Sequence, residues 1–451
     1  MRGPIARALD AGPCTFLLVG MGITNRAVAG ALLRHGHVVL AVDDKVNEEL
    51  REAAAALDFE LHAAPHESML ESLVEQADFV CPAPGLPEHH AAFALARDKD
   101  RPLVGEFDLA AAWDGRPIAA ITGTNGKTTV VELAIAALQG SGINAVAAGN
   151  TDVPLVCAID DPAIDVFVVE ASSFRLARAS EFRVAVATWL NFAPDHLDIH
   201  ADLESYEQAK AGIFAMAGRD GVIVANANDP VVMGHVPESA NVVTFGGASA
   251  DWYLDGGDLV GPGGGFTSTD RLWRSLPHDI EDALAVAATT VPLGATPSAV
   301  AEACESFPGL AHRVSPVGEI DGVMYFDDSK ATTPHATIAA LRGFDKAVLI
   351  AGGRNKGIDL ASMLDARQHV HAVVAIGDAA EEITSVFSPT HEVVVAYDMQ
   401  QAVAAARRLA AGRVAVLLSP GCASFDWYRN YGDRGDDFAR IVREYDEGCV
   451  R

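Results

Sequence analysis

The segment Ala120–Thr129 carries the residue types in this chain best suited to chemistry. It is an apolar run leading into the loop Gly-Thr-Asn-Gly-Lys-Thr-Thr. Glycines let backbone N–H groups face an anion, a lysine can reach the β- and γ-phosphates of a nucleotide, and a hydroxyl after it suits Mg²⁺. The segment therefore predicts a strand, a phosphate loop and a helix, Val130 to Gln139, whose N-terminus points at the same anion. The candidate phosphate-binding residues are Gly123, Thr124, Asn125, Gly126, Lys127, Thr128 and Thr129.

The loop departs from the general pattern G-x-x-x-x-G-K-[ST], because Ile121 stands where the first glycine belongs. We interpret it as a shorter variant of that loop. A plain strand–turn–helix without a ligand is the alternative.

Two further apolar runs end in groups that could serve a metal-bound nucleotide. The run Val166–Val169 is followed by Glu170, and the run Val184–Leu190 is followed by Asn191 and then by His196. Such groups meet at the carboxyl edge of a parallel sheet, and carboxylate oxygens suit Mg²⁺. A loop-capping role for Glu170 and a structural role for His196 remain open.

His196 and His200 have the spacing of a zinc-protease pair, but Leu197 stands where such a protease has glutamate. The six cysteines include no C-x-x-C pair, which favours reduced thiols over disulfides or zinc; they are Cys14, Cys81, Cys157, Cys304, Cys422 and Cys449.

The length of 451 residues suggests three domains at roughly 150 residues each. The formal net charge of −28 argues against a nucleic-acid partner. No apolar run approaches the roughly 20 residues of a membrane span, and no signal peptide is evident, so we expect a cytoplasmic protein.

Short apolar runs alternate with amphipathic stretches at both ends of the chain, which predicts α/β domains with doubly wound sheets. In the first, the strand Thr15 to Gly20 precedes Gly20-Met-Gly22, and Asp43 follows about twenty residues later, as in a dinucleotide-binding turn. Asn25 replaces the third glycine, which weakens the case for an NAD-dependent dehydrogenase. The glycine-rich stretch from Asp255 to Gly265 is interpreted as a hairpin connection.

The motifs together resemble the Mur ligase family. They lie across the whole chain in the family's order: Gly123–Thr129, Glu170–Phe174, Asn191–His196, Tyr206–Lys210, His312-Arg313 and Asp327–Thr332. Within the family, Asp328–Thr332 and Leu418–Asp426 are most similar to the branch that attaches D-glutamate.

The resemblance implies an α/β fold of three domains. These are an N-terminal Rossmann-like nucleotide-sugar domain (1–106), a central P-loop ATPase-like parallel sheet (107–310) and a C-terminal Rossmann-like amino-acid domain (311–451). It also implies a cytoplasmic, monomeric ligase that uses ATP and two Mg²⁺ ions to join UDP-N-acetylmuramoyl-L-alanine to D-glutamate through an acyl phosphate, in peptidoglycan synthesis.

The same resemblance assigns roles to particular residues. The catalytic residues would be Lys127, Glu170, His196 and Lys210, and Mg²⁺ would be held by Thr128, Glu170, His196 and Lys210, the last as a carbamate. Besides the phosphate loop, Arg313 and Asp328 would contact ATP. The sugar nucleotide would be held by Gly22, Thr24, Asp44, Lys45, Gly85 and Asn150. The acceptor site would comprise Lys330, Thr332, Lys356, Ser424, Phe425 and Tyr431; the two lysines suit the carboxylates of a dicarboxylic amino acid.

Some positions depart from the family pattern. Asp279 and Asp282 stand where asparagines near the adenine are common, Thr333 replaces an asparagine, and Asp44-Lys45 replaces a threonine–arginine pair. The rival hypotheses are a sister ligase with another acceptor, a folylpolyglutamate synthase-like ligase, and a non-catalytic nucleotide binder with Cys422 as a redox sensor.

Overall fold

The computed structural model describes residues 3–151, 153–196, 199–411 and 414–446. The described strands form three sheets, and the described residues group into two compact units. The first unit runs up to Phe192 and includes Ile199–Ser268 and Asp282–Cys304; the second contains the segment from Ala193, Thr269–Glu281 and the chain from Glu305 onward. The α/β prediction is confirmed, whereas the domain boundaries at 106 and 310 stay predictions.

The first unit begins with a four-stranded parallel sheet of order β3-β2-β1-β4. β1, β2 and β4 form from short apolar runs that are largely buried, whereas the edge strand β3 is partly exposed. Its elements are α1 (Pro4–Ala11), β1 (Thr15–Val19), α2 (Ile23–Arg34), β2 (Val38–Asp43), α3 (Glu48–Leu57), β3 (Glu60–Ala63), α4 (Glu67–Gln76), β4 (Phe79–Pro82) and α5 (Ala91–Asp98).

The same unit contains a nine-stranded sheet of order β13-β12-β11-β10-β9-β8-β5-β7-β6, antiparallel only at β11–β12 and β12–β13. Its elements are α6 (Glu106–Trp113), β5 (Ile118–Thr122), α7 (Lys127–Gly140), β6 (Ala145–Gly149), α8 (Leu155–Ala158), β7 (Val166–Glu170), α9 (Ser173–Leu176), β8 (Val186–Trp189), α10 (Leu203–Met216), β9 (Val222–Asn226), α11 (Pro230–Gly234), β10 (Asn241–Gly246), β11 (Trp252–Asp255), β12 (Asp258–Gly261) and β13 (Gly264–Ser268).

The phosphate loop leaves this sheet at its topological switch point. β5 lies between β7 and β8 in the sheet. The chain continues from β5 to β6 and β7 on one side of β5 and then to β8 on the other side, so the strand order reverses at β5. All five residues of β5 are buried, which fixes where the loop begins. Ligands in such sheets bind at the carboxyl ends of the strands at this point.

The second unit contains a six-stranded sheet of order β14-β15-β19-β16-β17-β18, in which β14 alone is antiparallel to its neighbour. α12 (Pro277–Thr290) and α13 (Pro297–Ser306) precede it in the chain. Its elements are β14 (Ser315–Ile320), β15 (Val323–Asp327), α14 (Pro334–Leu341), β16 (Ala347–Gly352), β17 (Val370–Ile376), α15 (Ala380–Phe387), β18 (Glu392–Val395), α16 (Met399–Ala410), β19 (Ala415–Leu418) and α17 (Tyr431–Asp446); 3₁₀ segments occupy Thr269–Arg271, Val291–Leu293 and Leu360–His369.

One local expectation is wrong. The stretch from Asp255 to Gly265 is not a single connection, because it contains the whole of β12 between two tight turns. Across the described part of the chain, no helix is long and apolar enough to cross a membrane.

Candidate functional site

The phosphate loop is tightly closed. Gly126 has φ of 85°, and a Cβ there would lie 2.7 Å from Oδ1 of Asp282, so only glycine fits this position without strain. Lys127 begins α7, and its Nζ donates to the carbonyls of Gly123 and Thr124 at 2.9 and 3.0 Å. The ammonium therefore lies across the loop, where an anion in the cradle would meet it.

Asn191 fixes the start of this loop. Its Oδ1 accepts the N–H groups of Thr124 and Asn125 at 3.1 and 2.9 Å, and its Nδ2 donates to the Asn125 carbonyl at 3.2 Å. The Thr124 hydroxyl also lies 3.2 Å from the Tyr206 hydroxyl. Asn191 belongs to a predicted motif, but no local pattern in the sequence reveals this role.

Glu170 gathers groups from two predicted sites. The Thr128 hydroxyl donates to its Oε2 and the Asn150 amide to its Oε1, each at 2.9 Å. Glu170 is 4% exposed, at the carboxyl end of β7. A carboxylate and a hydroxyl on one side of a phosphate loop form a donor set that fits Mg²⁺.

Lys210 is buried in α10 beneath the loop. Its Nζ donates to the Gly123 carbonyl at 2.7 Å and lies 4.8 Å from the centre of the Tyr206 ring. Lys127 and Lys210 thus converge on one carbonyl. The carbamate of Lys210 stays a prediction.

His196 lies in the second unit with φ of 56°, and its Nε2 is 3.3 Å from Oδ2 of Asp195. Lys356 approaches the other oxygen of Asp195 at 3.5 Å. Leu197, which was used to argue against a zinc protease, and Cys449, one of the six cysteines, lie outside the described residues. Among the residues that are described, no group of three or more His, Cys, Asp or Glu side chains could hold a metal ion.

His200 contributes to a buried polar chain and not to a zinc pair. Its Nε2 is 2.9 Å from the Ser173 hydroxyl and its Nδ1 is 3.2 Å from Oε1 of Glu88. Burial lowers the pKa of His200, against the opposing charge of Glu88, so the neutral imidazole is favoured. This contact links the loop after β4 to α9.

Four predicted sugar-nucleotide residues line one crevice in the first sheet. Gly22, Asp44, Lys45 and Gly85 surround a cavity of about 270 Å³ at the carboxyl ends of β1, β2 and β4. The strand order reverses at β1, which is where Rossmann-like sheets bind nucleotides.

The missing third glycine of the turn has a structural explanation. The buried Asn25 amide donates to the carbonyls of Gly20 and Cys81 at 2.8 and 3.1 Å, joining the ends of β1 and β4. Asp43 accepts the N–H groups of Met21 and Lys45 at 2.6 and 2.8 Å. Its carboxylate therefore shapes the turn, which removes the ribose-binding role that a dinucleotide enzyme requires of it.

A buried arginine that no sequence motif predicts lies near the start of α2. Arg175 forms an ion pair with Glu106, and its Nη2 donates to the hydroxyl of Thr24 at 2.9 Å. Arg175 and Glu106 are 8% and 5% exposed. A cation is thus held at the start of α2, beside Thr24, which is a predicted sugar-nucleotide residue.

In the second unit, Asp328 is buried after β15. It accepts the Ser419 hydroxyl at 2.7 Å and the Val314 N–H at 3.3 Å. Burial raises the pKa of Asp328 to about 7, while the Ser419 hydrogen bond and the Arg313 charge favour its ionised form. The two predicted ATP contacts in this unit, Arg313 and Asp328, are therefore electrostatically coupled.

The predicted acceptor residues lie in loops at the carboxyl edge of the third sheet, except Tyr431, which is the first residue of α17. Lys330 Nζ is 3.8 Å from the centre of the Tyr431 ring. Ser424 is buried, whereas Phe425 is 63% exposed. Thr332 is partly buried one residue before Thr333, whose hydroxyl caps α14 in place of the family's asparagine.

The structure shows the contacts of Asp279 and Asp282, the two positions at which the sequence departs from the family's asparagines. Both oxygens of Asp279 accept from Arg274 at 2.7 Å, so this carboxylate is structural. Asp282 lies against the phosphate loop at Gly126.

Burial raises the pKa of the Cys422 thiol to about 12, which disfavours the redox-sensor hypothesis because reactive thiols need lowered pKa values.

Family models match two parts of the chain. The Mur ligase middle domain matches residues 121–266, and the Mur ligase glutamate ligase domain matches residues 312–422. The chain is 36% identical over 446 residues to a UDP-N-acetylmuramoylalanine--D-glutamate ligase of Desulfosudis oleivorans, covering 96% of each protein. A protein of the same name from Frankia casuarinae is 37% identical over 449 residues, covering 95% of this chain and 93% of the relative.

Solved structures share the fold at low identity. A MurF from Acinetobacter baumannii superposes with a TM-score of 0.61 at 15% identity, over 96% of this chain and 92% of that one. A UDP-N-acetylmuramate-alanine ligase from Thermotoga maritima gives a TM-score of 0.58 at 20% identity, over 96% of this chain and all of that one.

Proposed function

This chain belongs to the Mur ligase family, and we propose that it is an ATP-dependent ligase that adds D-glutamate to UDP-N-acetylmuramoyl-L-alanine in peptidoglycan synthesis. The identities of the acceptor amino acid and of the sugar nucleotide are inferred from the names of its relatives. We propose that the reaction takes place in the cytoplasm and that the enzyme is a monomer. Sedimentation of the purified protein would test the monomeric state.

One observation carries the chemistry. Glu170 binds Thr128 of the phosphate loop and Asn150 of the predicted sugar-nucleotide site at the same time. A γ-phosphate in the loop and a carboxylate held near Asn150 would therefore meet beside one acidic group. Carboxylate attack on that phosphate gives an acyl phosphate and ADP; the amine of D-glutamate then attacks the acyl carbon and phosphate leaves.

Each step has residues suited to it. Lys127 would neutralise the phosphates, which otherwise repel the attacking carboxylate. Thr128 and Glu170 would hold Mg²⁺, and we propose His196 and carbamylated Lys210 as further Mg²⁺ ligands. Bound Mg²⁺ would supply charge neutralisation and orientation of the phosphoryl group. Lys330 and Lys356 would bind the carboxylates of the acceptor.

The test is phosphate release from ATP, Mg²⁺ and UDP-N-acetylmuramoyl-L-alanine with D-glutamate, L-glutamate, L-alanine or diaminopimelate. Turnover with D-glutamate alone is expected. Turnover with another amino acid would indicate a sister ligase that uses that amino acid as its acceptor. Absence of turnover with every acceptor, together with tight ATP binding, would favour the non-catalytic nucleotide binder.

A further inference from the structure

Arg434 is a buried charge in the first turn of α17. It is 1% exposed; its Nε and Nη2 donate to the hydroxyl and carbonyl of Ser329 at 2.9 and 2.8 Å, and its Nη1 donates to the Cys422 carbonyl at 3.1 Å. Burial lowers the pKa of Arg434 to about 10, so it is still charged at neutral pH. Burying a charge costs free energy unless it is well paired, and here its hydrogen bonds go to two loops.

Those two loops carry the predicted acceptor residues. Ser329 directly precedes Lys330 after β15, and Cys422 precedes Ser424 after β19. Without the guanidinium, the Ser329 and Cys422 carbonyls would each lose a buried donor.

A third loop, after β16, closes around the same group. Gly353 has φ of 126°, and a Cβ there would lie 3.1 Å from Nη1 of Arg434 and 2.4 Å from the Ala423 carbonyl. Arg354 and Ala423 exchange backbone hydrogen bonds at 2.8 and 3.0 Å. This loop leads to Lys356, so the guanidinium lies where three acceptor loops meet.

A short polar relay extends from Arg434 to the acceptor cation. The Ser329 hydroxyl, which accepts from Arg434, donates to the Tyr431 carbonyl at 2.7 Å. The Tyr431 ring in turn lies 3.8 Å from Lys330 Nζ. A shift of the guanidinium would therefore be transmitted to the position of Lys330.

We propose that Arg434 is a positioning residue for the acceptor amino acid, holding the loops after β15, β16 and β19 in the arrangement that binds a dicarboxylate. This inference rests on the proposed function. Arg434 would not touch the substrate; it would set where Lys330, Tyr431 and Ser424 stand.

The experiment is steady-state kinetics of Arg434→Lys, which keeps the charge but loses the planar fork of donors. We expect the KM for D-glutamate to rise about 10- to 100-fold, because small displacements of positioning groups have effects of this size. The KM for ATP should stay within about twofold and kcat should change much less than the acceptor KM. Arg440→Lys is the matched control, because Arg440 is exposed on the same helix and pairs with Asp437 and Glu444.

An unchanged acceptor KM in Arg434→Lys would overturn the inference, and so would equal rises in the KM of all three substrates, which would indicate a purely structural role. If that variant does not fold, Ser329→Ala interrupts the relay with little change in volume; it should raise the acceptor KM, and an unchanged KM would count against the relay. Failure of the wild-type protein to use D-glutamate would refute the proposed function itself, before any variant is compared.

Discussion

Asp328 should make the protein less stable as the pH rises, and Asp328→Asn should remove that dependence. The carboxyl is buried after β15, and its pKa is raised from 3.8 to about 7, first by burial. Asparagine has nearly the same shape and cannot ionise. Its amide can still accept hydrogen bonds through Oδ1.

The sign follows from proton binding. Between pH 3.8 and about 7 the folded state keeps the Asp328 proton, whereas the unfolded chain releases it. Stability from this group is therefore fully present below pH 3.8, declines as the pH rises toward 7 and is level above. At about 1.4 kcal/mol per pKa unit the total loss is about 4 kcal/mol, of which about 2–3 kcal/mol falls between pH 5 and pH 8.

The assay is urea unfolding of wild type and Asp328→Asn at pH 5 and pH 8, following the transition of the second unit. The variant should gain about 2–3 kcal/mol relative to wild type between the two pH values. The exposed Asp345, changed to Asn, controls for general charge effects. An Asp328→Asn stability difference that is the same at both pH values would refute the reasoning. Activity should fall in the same variant if Asp328 contacts ATP, so stability and function would change in opposite directions.

Three other outcomes are expected. Arg274→Ala leaves the buried Asp279 carboxylate without its ion-pair partner and should cost about 3–5 kcal/mol in urea unfolding, and a loss below about 1 kcal/mol would contradict this. Asn25→Gly, which restores the glycine of a dinucleotide turn, should destabilise the protein by about 2 kcal/mol because the buried Cys81 carbonyl and the partly buried Gly20 carbonyl lose their donor; a rise in melting temperature would count against the role assigned to Asn25. Lys210→Ala should lose phosphate release and regain part of it with short carboxylic acids, and full activity without rescue would exclude the carbamate.

Elements with long apolar runs were predicted closely from the sequence. Prediction and structure agree within a residue for β1, because its continuous apolar pattern ends at a glycine. The stretch from Asp255 to Gly265 was misread because β12 has only four residues, Asp258–Gly261, between glycine-rich turns, which is too short a run to show the alternation of a strand.

The same distinction separates the predicted from the missed parts of the site. The phosphate loop was recognisable because its groups are consecutive, and Glu170 because it ends a strand. Arg175 and Glu106 are 69 residues apart, and His200 and Glu88 are 112 apart, so their pairing depends on how the sheets bring distant loops together. No local pattern encodes such contacts.

The buried polar groups of the second unit suggest why its loops resist prediction. Asp328 and Arg434 are almost fully buried, and their partners Ser419 and Ser329 lie 91 and 105 residues away along the chain. Apolar side chains at these positions would cost less free energy to bury than these charges do. Their free-energy cost is reasonable if the loops must hold donors and charges in fixed positions for small anionic substrates. On this argument, replacing Arg434 should damage acceptor binding more than it damages folding.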